Sequence, residues 1–417
     1  MKLCFRVGYM SEIKGKSNIL FRGMKFSGGA PRSAYEYLNV LKAEGHSVTA
    51  IVWDAEKNLK ELYEKTFDRV ISEKYIYEYY EKRKFISMYR AIKKEYSMLK
   101  KEKPDFVIVL GYFNMHFYGP LCRSCSIPSI MMIAGGDLSR TGAFLEKCLC
   151  DHIICFSEEN NDILKLYFDE KRISVISNRI NIKKIFDDKE KHYALQPSDT
   201  LNFLLTSRVS SDKYESIINF IKNIENIAND KIKISLTVAG AGDCLEKLQN
   251  EVQSLTTPFL NIEIKGQVDD LLPEFEKAHI VVGKGRSVIE PIMMNRIGCV
   301  IGDDGKIELC TKDNFDRIYH YNYSGRNLCC DDSSLILKNL VDSIFNSTYN
   351  INHIEEYSKL VRQYYSVDFL PQKFLSVLAD INVEEKKKKR VSVVVLILKI
   401  LWYKLKQRKI NRRLNNG

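Results

Sequence analysis

The chain has 417 residues, enough for two large domains or three small ones, which excludes a single small binding module. Its 45% hydrophobic and 28% charged residues are typical of a globular protein and exclude disordered and collagen-like classes. The formal net charge of +11 would favour nucleic acid or an anionic membrane as a partner. However, residues 386–417 hold twelve bases and no acid, so the other 385 residues balance 52 bases against 53 acids.

The first residues give no sign of a secretory leader. MKLCFRVGYM continues into Ser11, Glu12 and Lys14 without an apolar signal segment, which predicts a cytoplasmic protein with reduced thiols. Among eleven cysteines, Cys122 and Cys125 form a lone C-x-x-C, whereas a structural zinc site usually needs a second matched pair. We interpret these thiols as buried small side chains and expect no metal.

The first half of the chain alternates short β-branched runs with helical patterns, which predicts βαβ units and a mostly parallel sheet. Predicted strands are Leu3–Val7, Ser47–Trp53, Phe106–Leu110, Ser129–Ile133, His152–Cys155 and Ile173–Ile176. A helix is predicted from Pro31 to Gly45, and the Tyr-, Lys- and Glu-rich region 56–103 is predicted to be helical. These elements form a predicted N-terminal Rossmann-like domain, residues 1–186, followed by a polar linker at 187–200.

The same alternation recurs after the linker. Predicted strands are Asn202–Thr206, Ile234–Ala239, Ile262–Lys265, Ile280–Val282 and Cys299–Ile301, separated by helices near 212–229, 243–254, 270–277 and 287–295. This predicts a second Rossmann-like domain over 201–353, a helical segment at 354–385 and a basic tail at 386–417. The predicted fold is α/β, with two Rossmann-like domains facing each other across a cleft, because ligands of open α/β sheets bind beyond the carboxyl ends of the strands.

Two cations follow the first strand of the second domain. Arg208 comes directly after the predicted strand and Lys213 enters the next helix, so both are candidates to clamp a diphosphate and to stabilise a leaving group that gains negative charge. The alternative is that both are solvated residues at the start of a helix.

Two glycine-rich turns also begin helices. Gly240 and Gly242 follow a strand, where glycine lets backbone N–H groups approach a phosphate, although a tight turn with Asp243 as N-cap is an equal alternative. The second turn, Gly283-Lys284-Gly285-Arg286-Ser287-Val288-Ile289-Glu290, could bind phosphate at its start and ribose hydroxyls through Glu290. A helix-dipole role for Glu290 stays open. Gly28 and Gly29 begin the first helix without dinucleotide-binding spacing, and could close over an acceptor or donor phosphate.

Six segments in order resemble the family 4 retaining glycosyltransferases of the GT-B fold, over about residues 1–380. They are the Gly28-Gly29 loop, Asn178-Arg179-Ile180-Asn181, the segment from Ser207 to Lys213, the segment from Ala239 to Asp243, the segment from Lys265 to Asp269 and the segment from Gly285 to Glu290.

The resemblance implies a role for each matching position. Arg208, Lys213 and Glu290 would be catalytic, with the two cations on the donor diphosphate and Glu290 on the ribose. Further donor contacts would come from Gly240, Gly242, Gly266, Val268, Gly285, Arg286 and Ser287, with the backbone of 266–268 on the base. Gly28, Gly29 and Asp137 would contact the acceptor or a phosphate. No cofactor or metal is implied, and the donor would be a nucleoside diphosphate-sugar.

Two departures from the family pattern concern the sugar site. The family commonly has Glu-x7-Glu, and its first acid would fall at Val282. Many members also have a His after the strand corresponding to Ser129–Ile133, where this chain reads Ala134-Gly135-Gly136-Asp137. Asp137 either compensates or caps a turn. His116 follows another strand, but a lone His is more often structural, so it is not assigned to the site.

The tail combines bases with an apolar centre. Residues 391–403 end in Trp402 and Tyr403 and are too short to span a bilayer, which predicts an amphipathic helix at an anionic membrane surface. A core helix would not explain the bases, and nucleic acid is disfavoured because few aromatics lie among them. We expect a peripheral protein at the inner face of the cell membrane.

The expected function is sugar transfer, with retention, to a glycan or polyprenyl-linked acceptor in polysaccharide assembly. The alternatives are a sugar-nucleotide epimerase or phosphorylase on the same fold, and a non-catalytic membrane-bound scaffold for glycan assembly.

Overall fold

A computed structural model describes most of the chain in two compact units. The described residues are 17–25, 29–53, 57–74, 84–136, 138, 148–177, 179–181, 200–328 and 333–384. Unit 1 comprises the described parts of Met1–Arg179 and Asp368–Gly417, and unit 2 is formed from Ile180–Val367.

Unit 1 contains a seven-stranded parallel sheet with the order β3-β2-β1-β4-β5-β6-β7. Its strands are β1 Asn18–Lys25, β2 Ser47–Trp53, β3 Arg69–Ser72, β4 Phe106–Leu110, β5 Ser129–Ile133, β6 His152–Cys155 and β7 Ile173–Val175. Its helices up to β7 are α1 Gly29–Ala43, α2 Lys57–Thr66, α3 Phe85–Glu102, α4 Tyr112–Cys125 and α5 Glu158–Leu164. Strands β4, β5 and β6 are buried along their whole length, as expected when helices cover both faces of a parallel sheet.

Strand β1 lies inside this sheet between β2 and β4, where its Phe21 is in register with Ala50 of β2 and Ile108 of β4. The sequence analysis placed the first strand at Leu3–Val7, which lies outside the described residues, and treated the stretch before Gly28 as a loop. The loop prediction was wrong because Arg22 interrupts the apolar run of β1. Arg22 is fully buried and donates to the carbonyl of Lys74 at 2.8 Å.

Strand β3 also corrects the sequence analysis, which predicted helix throughout 56–103. Its four residues, Arg69–Ser72, are exposed or only partly buried and pair with β2 alone, at the edge of the sheet. A short, half-polar edge strand gives no apolar periodicity to detect. Helices α2 and α3 account for most of the remaining predicted helix.

Unit 2 contains a six-stranded sheet with the order β10-β9-β8-β11-β12-β13, in which only β13 is antiparallel to its neighbour. Its strands are β8 Thr200–Thr206, β9 Lys233–Ala239, β10 Leu260–Gly266, β11 Ile280–Gly283, β12 Ile297–Ile301 and β13 Ile307–Leu309. Its helices are α6 Tyr214–Glu225, α7 Leu245–Val252, α8 Leu272–Lys277, α9 Arg286–Met293, α10 Phe315–His320, α11 Ser333–Phe345 and α12 Asn352–Tyr365. The five predicted strands are confirmed, and the three-residue β13 was missed.

The predicted helical segment 354–385 is divided between the units. Helix α12 belongs to unit 2, whereas α13 (Leu370–Glu384) belongs to unit 1 and packs on α1. Tyr37 of α1 lies edge-on to Phe374 of α13 at 5.3 Å and stacks on Phe156 at 5.4 Å. These aromatic contacts therefore attach α13, the last described helix, to unit 1.

The loops that follow β8, β9 and β10 are joined directly through their backbones. Val209 N donates to Ala241 O at 3.0 Å, and Gly240 N donates to Gly266 O at 2.7 Å. These bonds connect the carboxyl ends of three neighbouring strands, and they hold the β8–α6 loop, which contains Arg208, against the β9–α7 turn.

Glycine is required for this approach. A Cβ at Gly240 would lie 1.8 Å from Ser207 O, and one at Gly242 would lie 2.0 Å from Val209 O. Both distances are far shorter than any real contact, so these glycines have a packing role whether or not a phosphate binds nearby. The Asp243 N-cap alternative was wrong, because Cys244 occupies the N-cap of α7 without a capping side-chain bond.

We predict that Gly242→Ala lowers the free energy of unfolding of unit 2 by about 2 kcal/mol or more, because the backbone of the β8–α6 loop must move. Urea unfolding measures the loss. The matched control is Gly266→Ala, whose Cβ meets only Leu245 at 3.5 Å and incurs mainly the strain of a φ of +66°, about 1–2 kcal/mol. Equal losses in the two variants would contradict the steric argument.

We also predict an acid-sensitive contribution from His152 on β6. Burial lowers the pKa of His152 to about 4, although Asp380 opposes the shift. In the unfolded chain the imidazole has a pKa of ~6.5, so between pH ~6.5 and ~4 it is protonated in the unfolded state and neutral in the folded state. The free energy of unfolding therefore falls as the pH falls through this range.

The measurement is urea unfolding of the full chain at pH 7 and pH 5. The wild type should lose of order 1–2 kcal/mol more than His152→Gln over this interval. His353→Gln, on an exposed position of α12, should behave like the wild type. An identical pH dependence in wild type and His152→Gln would contradict the assignment.

Candidate functional site

Three basic side chains gather at the carboxyl ends of strands in unit 2. Arg208 follows β8, Lys213 is the N-cap residue of α6, and Lys284 lies between β11 and α9. Because β8 and β11 are neighbours in the sheet, residues far apart in sequence come together at one edge. The side chain of Arg208 is exposed, and its guanidinium forms no hydrogen bond or ion pair with another described residue, so it is available to an external anion.

Asp303, after β12, connects two of these cations. The Nζ atoms of Lys213 and Lys284 lie 2.7 Å and 2.5 Å from the same atom, Asp303 Oδ1. Hydrogen bonds from both lysines lower the pKa of Asp303 to about 2. The pKa of Lys284 is lowered chiefly by burial, against the effect of Asp303 and with a further contribution from Lys213. Asp212 Oδ2 lies 3.8 Å from Lys213 Nζ, so the site has two ammonium groups and two carboxylates, of which only Asp303 contacts both lysines.

Sequence reasoning found Lys213 but missed the role of Lys284 and Asp303. Lys284 is present in the glycine-rich segment 283–290, and Asp303 follows the predicted strand Cys299–Ile301. Both residues therefore follow the carboxyl end of a predicted strand, which marks them as candidates. Their pairing across 19 residues, and that of Lys213 with Asp303 across 90, has no local signature.

The turn between β11 and α9 is held by its own backbone and by Ser287. Gly285 adopts a φ of +59° at the N-cap and donates its N–H to Tyr323 O at 2.7 Å. The Ser287 hydroxyl donates to Lys284 O at 3.0 Å and accepts from Lys284 N at 3.3 Å. Gly285 needs its left-handed conformation, and Ser287 is already used to close the turn.

Glu290 and Arg286 form a pair one helical turn apart on α9. Nε and Nη2 of Arg286 lie 2.8 Å and 2.7 Å from Glu290 Oε1. Within the described part of the chain, Glu290 Oε2 accepts no hydrogen bond and remains available to hydroxyl donors. Arg286 therefore orients the Glu290 carboxylate, whereas the sequence analysis expected Arg286 to contact the donor directly.

Val282, the position predicted for the first acid of Glu-x7-Glu, is fully buried in β11. Only Lys284 and Gly285 separate β11 from α9. Val282 packs in the hydrophobic core of unit 2, so a carboxylate at this position would be buried.

The predicted base site lies at the end of β10. Gly266 closes this strand with a φ of +66°, and Val268 is half-buried against a small core that includes Phe275 and Met294. Val268 thus contributes to packing under the loop, while the 266–268 backbone lies beside Gly240 through the bond described above.

The candidate residues of unit 1 are only partly described. Gly29 begins α1, whereas Gly28 and Asp137 lie outside the described residues, as does the predicted tail at 386–417. His116 is buried in α4 with Nε2 3.9 Å from Cys148 Sγ, in agreement with a structural role.

The C-x-x-C pair on α4 forms no disulfide. Cys122 and Cys125 are both free thiols whose pKa values are raised by burial. Within the described ranges, no three His, Cys, Asp or Glu side chains group as metal ligands. In the same residues, every helix is too short or too polar to reach across a bilayer.

Solved structures share the fold of the whole chain. Anabaena HepE in complex with UDP and glucose has 14% identity and a TM-score of 0.64, covering 87% of this chain and 100% of that chain. A glycosyltransferase from Rickettsia africae has 15% identity and a TM-score of 0.64, covering 88% and 99%. UDP-GlcNAc 2-epimerase from Neisseria meningitidis bound to UDP-GlcNAc has 13% identity and a TM-score of 0.55, covering 87% and 99%.

Sequence comparison matches a family model to the first part of the chain. No curated protein sequence matches the chain significantly. Residues 27–184 match the model of Glycosyltransferase Family 4, a range that runs from the start of α1 to beyond β7. Together with two parallel sheets of Rossmann type, this match confirms the expected family and fold. Residues 27–184 therefore match glycosyltransferase family 4, and the chain has the GT-B fold.

Proposed function

We propose that the chain transfers a sugar, with retention, from a nucleoside diphosphate-sugar to a glycan or lipid-linked glycan in polysaccharide assembly. The observation that carries the proposal is the group of three cations, Arg208, Lys213 and Lys284, at the carboxyl ends of neighbouring strands. Such a group suits a diphosphate leaving group, whose negative charge grows as the glycosidic bond breaks. The solved complexes of HepE, with UDP and with UDP and glucose, agree with a uridine nucleotide as the first donor to test.

In the proposed reaction, Arg208 and Lys213 stabilise the departing diphosphate, which helps deprotonate the acceptor hydroxyl attacking on the same face. Glu290 Oε2 accepts a ribose hydroxyl while Arg286 holds the carboxylate in place. The 266–268 backbone contacts the base, and the α9 N-terminus at Gly285 and Ser287 faces phosphate or sugar. No metal is needed, because the cations neutralise the charge.

The acceptor is proposed to be membrane-linked and to contact unit 1 through Gly28, Gly29 and Asp137. Residues 386–417 would bind the anionic inner face of the cell membrane, where a polyprenyl-linked glycan is presented. Each base near an anionic leaflet contributes ~1 kcal/mol, so half of the tail's bases would suffice for substantial attachment.

A sugar-nucleotide epimerase is the second candidate, because the Neisseria epimerase shares the fold and Val282 replaces an expected acid. Product analysis separates the two: an epimerase converts the nucleotide-sugar without an acceptor, and a phosphorylase depends on inorganic phosphate. A non-catalytic scaffold would gain no thermal stability from any donor.

We predict that Arg208→Ala and Lys213→Ala each lower kcat by about 10²–10³-fold, with little change in acceptor KM, because both cations act on charge that develops in the transition state. Uridine, guanosine and adenosine diphosphate sugars are screened first, with a membrane extract as acceptor source. Lys231→Ala, an exposed lysine before β9 at the opposite edge of the sheet, is the matched control. Normal turnover in both cation variants would refute the assignment.

We predict that deleting residues 386–417 abolishes sedimentation with vesicles containing 30% phosphatidylglycerol and leaves donor binding intact, because unit 2 holds all the proposed donor contacts. Neutral phosphatidylcholine vesicles are the control and should bind neither protein. Undiminished binding of the truncated chain to anionic vesicles would overturn the role of the tail.

A further inference from the structure

We propose that Lys284 is a third phosphate-binding cation and that Asp303 is a built-in substitute for the phosphate, which leaves the lysines when a diphosphate binds. The inference rests on the proposed function and adds how Lys213 and Lys284 are held together before a diphosphate binds. It is carried by the convergence of Lys213 and Lys284 on Asp303 Oδ1.

The exposure of the three groups is the first argument. The Lys213 and Lys284 side chains are 30% and 25% exposed, whereas that of Asp303 is 68% exposed. The cations thus form the inner wall of the site and the carboxylate lies on its solvent side. An exposed carboxylate loses little when it exchanges its partners for water, because such ion pairs contribute only about 0–1 kcal/mol.

Charge balance is the second argument. Both lysines contact Asp303 Oδ1, whereas the second carboxylate, Asp212, contacts Lys213 alone at 3.8 Å. With Arg208 the cluster has three cations and two carboxylates, so one positive charge is in excess. A diphosphate brings at least two negative charges and several acceptor oxygens, so each lysine could have its own acceptor. Asp303 keeps the two like charges together before binding, and a diphosphate neutralises them more completely.

The backbone around Asp303 is anchored independently of its carboxylate. Gly302 N donates to Lys306 O at 2.7 Å, and the buried Ser216 of α6 donates its hydroxyl to Gly302 O at 2.6 Å. The turn therefore stays in place when the carboxylate rotates outward. The adjacent pair, Lys306 and Asp304, is separated by 3.7 Å and is exposed on both sides, so it provides a matched ordinary ion pair.

Lys284 lies two residues after Val282, the position at which the family resemblance implies an acid. The two-residue β11–α9 connection has Lys284 and no carboxylate, and the carboxylate that contacts Lys284 is that of Asp303, in the turn after the neighbouring strand β12. A cation, Lys284, therefore lies beside the proposed phosphate position. The negative charge next to it belongs to Asp303, whose side chain can move away.

The experiment measures the Kd of UDP, uridine and inorganic pyrophosphate by calorimetry on the full chain. Lys284→Gln should weaken UDP and pyrophosphate by about tenfold or more, as expected for loss of a charge-assisted hydrogen bond, and leave uridine unchanged. Asp303→Asn should tighten UDP and pyrophosphate several-fold, because the internal competitor is removed. Lys306→Gln should match the wild type for all three.

Thermal unfolding provides the second readout. Asp303→Asn should lower Tm without ligand, since the two lysines lose the negative charge that they share, and pyrophosphate should restore it more strongly than in the wild type. Unchanged or weaker UDP binding in Asp303→Asn would overturn the substitute role, and unchanged UDP binding in Lys284→Gln would overturn the third cation. If wild type binds none of UDP, GDP and ADP, the proposed function itself fails, which is a distinct outcome.

Discussion

The close backbone approach of the β8–α6 and β9–α7 loops is the constraint on which the candidate site depends. Hydrogen bonds between main-chain atoms join these loops, and Gly240 and Gly242 leave no room for a side chain between them. Because the β8–α6 loop contains Arg208 and leads into Lys213, this contact places both cations relative to the sheet. The glycine pair is thus first a packing device, and any phosphate contact is added to that role.

The two units place internal charge in different ways. In unit 1, Arg22 is fully buried on the interior strand β1, where Nη1 and Nη2 donate to the carbonyls of Glu73 and Lys74 and Nη2 lies 3.4 Å from Glu95. In unit 2, Lys213 and Lys284 share the exposed carboxylate of Asp303, and a second exposed carboxylate, Asp212, contacts Lys213 alone. The first arrangement is closed to ligands, whereas the second is suited to exchange its anion.

Strand and helix patterns were readable where an element is long or apolar throughout. Strands such as Phe106–Leu110 and Ser129–Ile133 have the predicted bounds because each is a continuous apolar run. The failures have separate causes: β1 contains Arg22, β3 is half-polar at the edge of the sheet and β13 has only three residues. Local composition carries no signal when a charged side chain is buried by partners that lie distant in sequence.

From its residues alone, the chain specified an α/β fold with two Rossmann-like halves, a neutral body, a basic tail and the order of its glycine and cation motifs. These properties follow from periodicity, turn residues and charge, which are local. The pairing of Lys213 with Asp303, the use of Arg286 by Glu290 and the packing role of Gly242 emerged only in the folded chain. They required folding because parallel strands bring their carboxyl ends to one edge, and that meeting joins residues up to 90 positions apart.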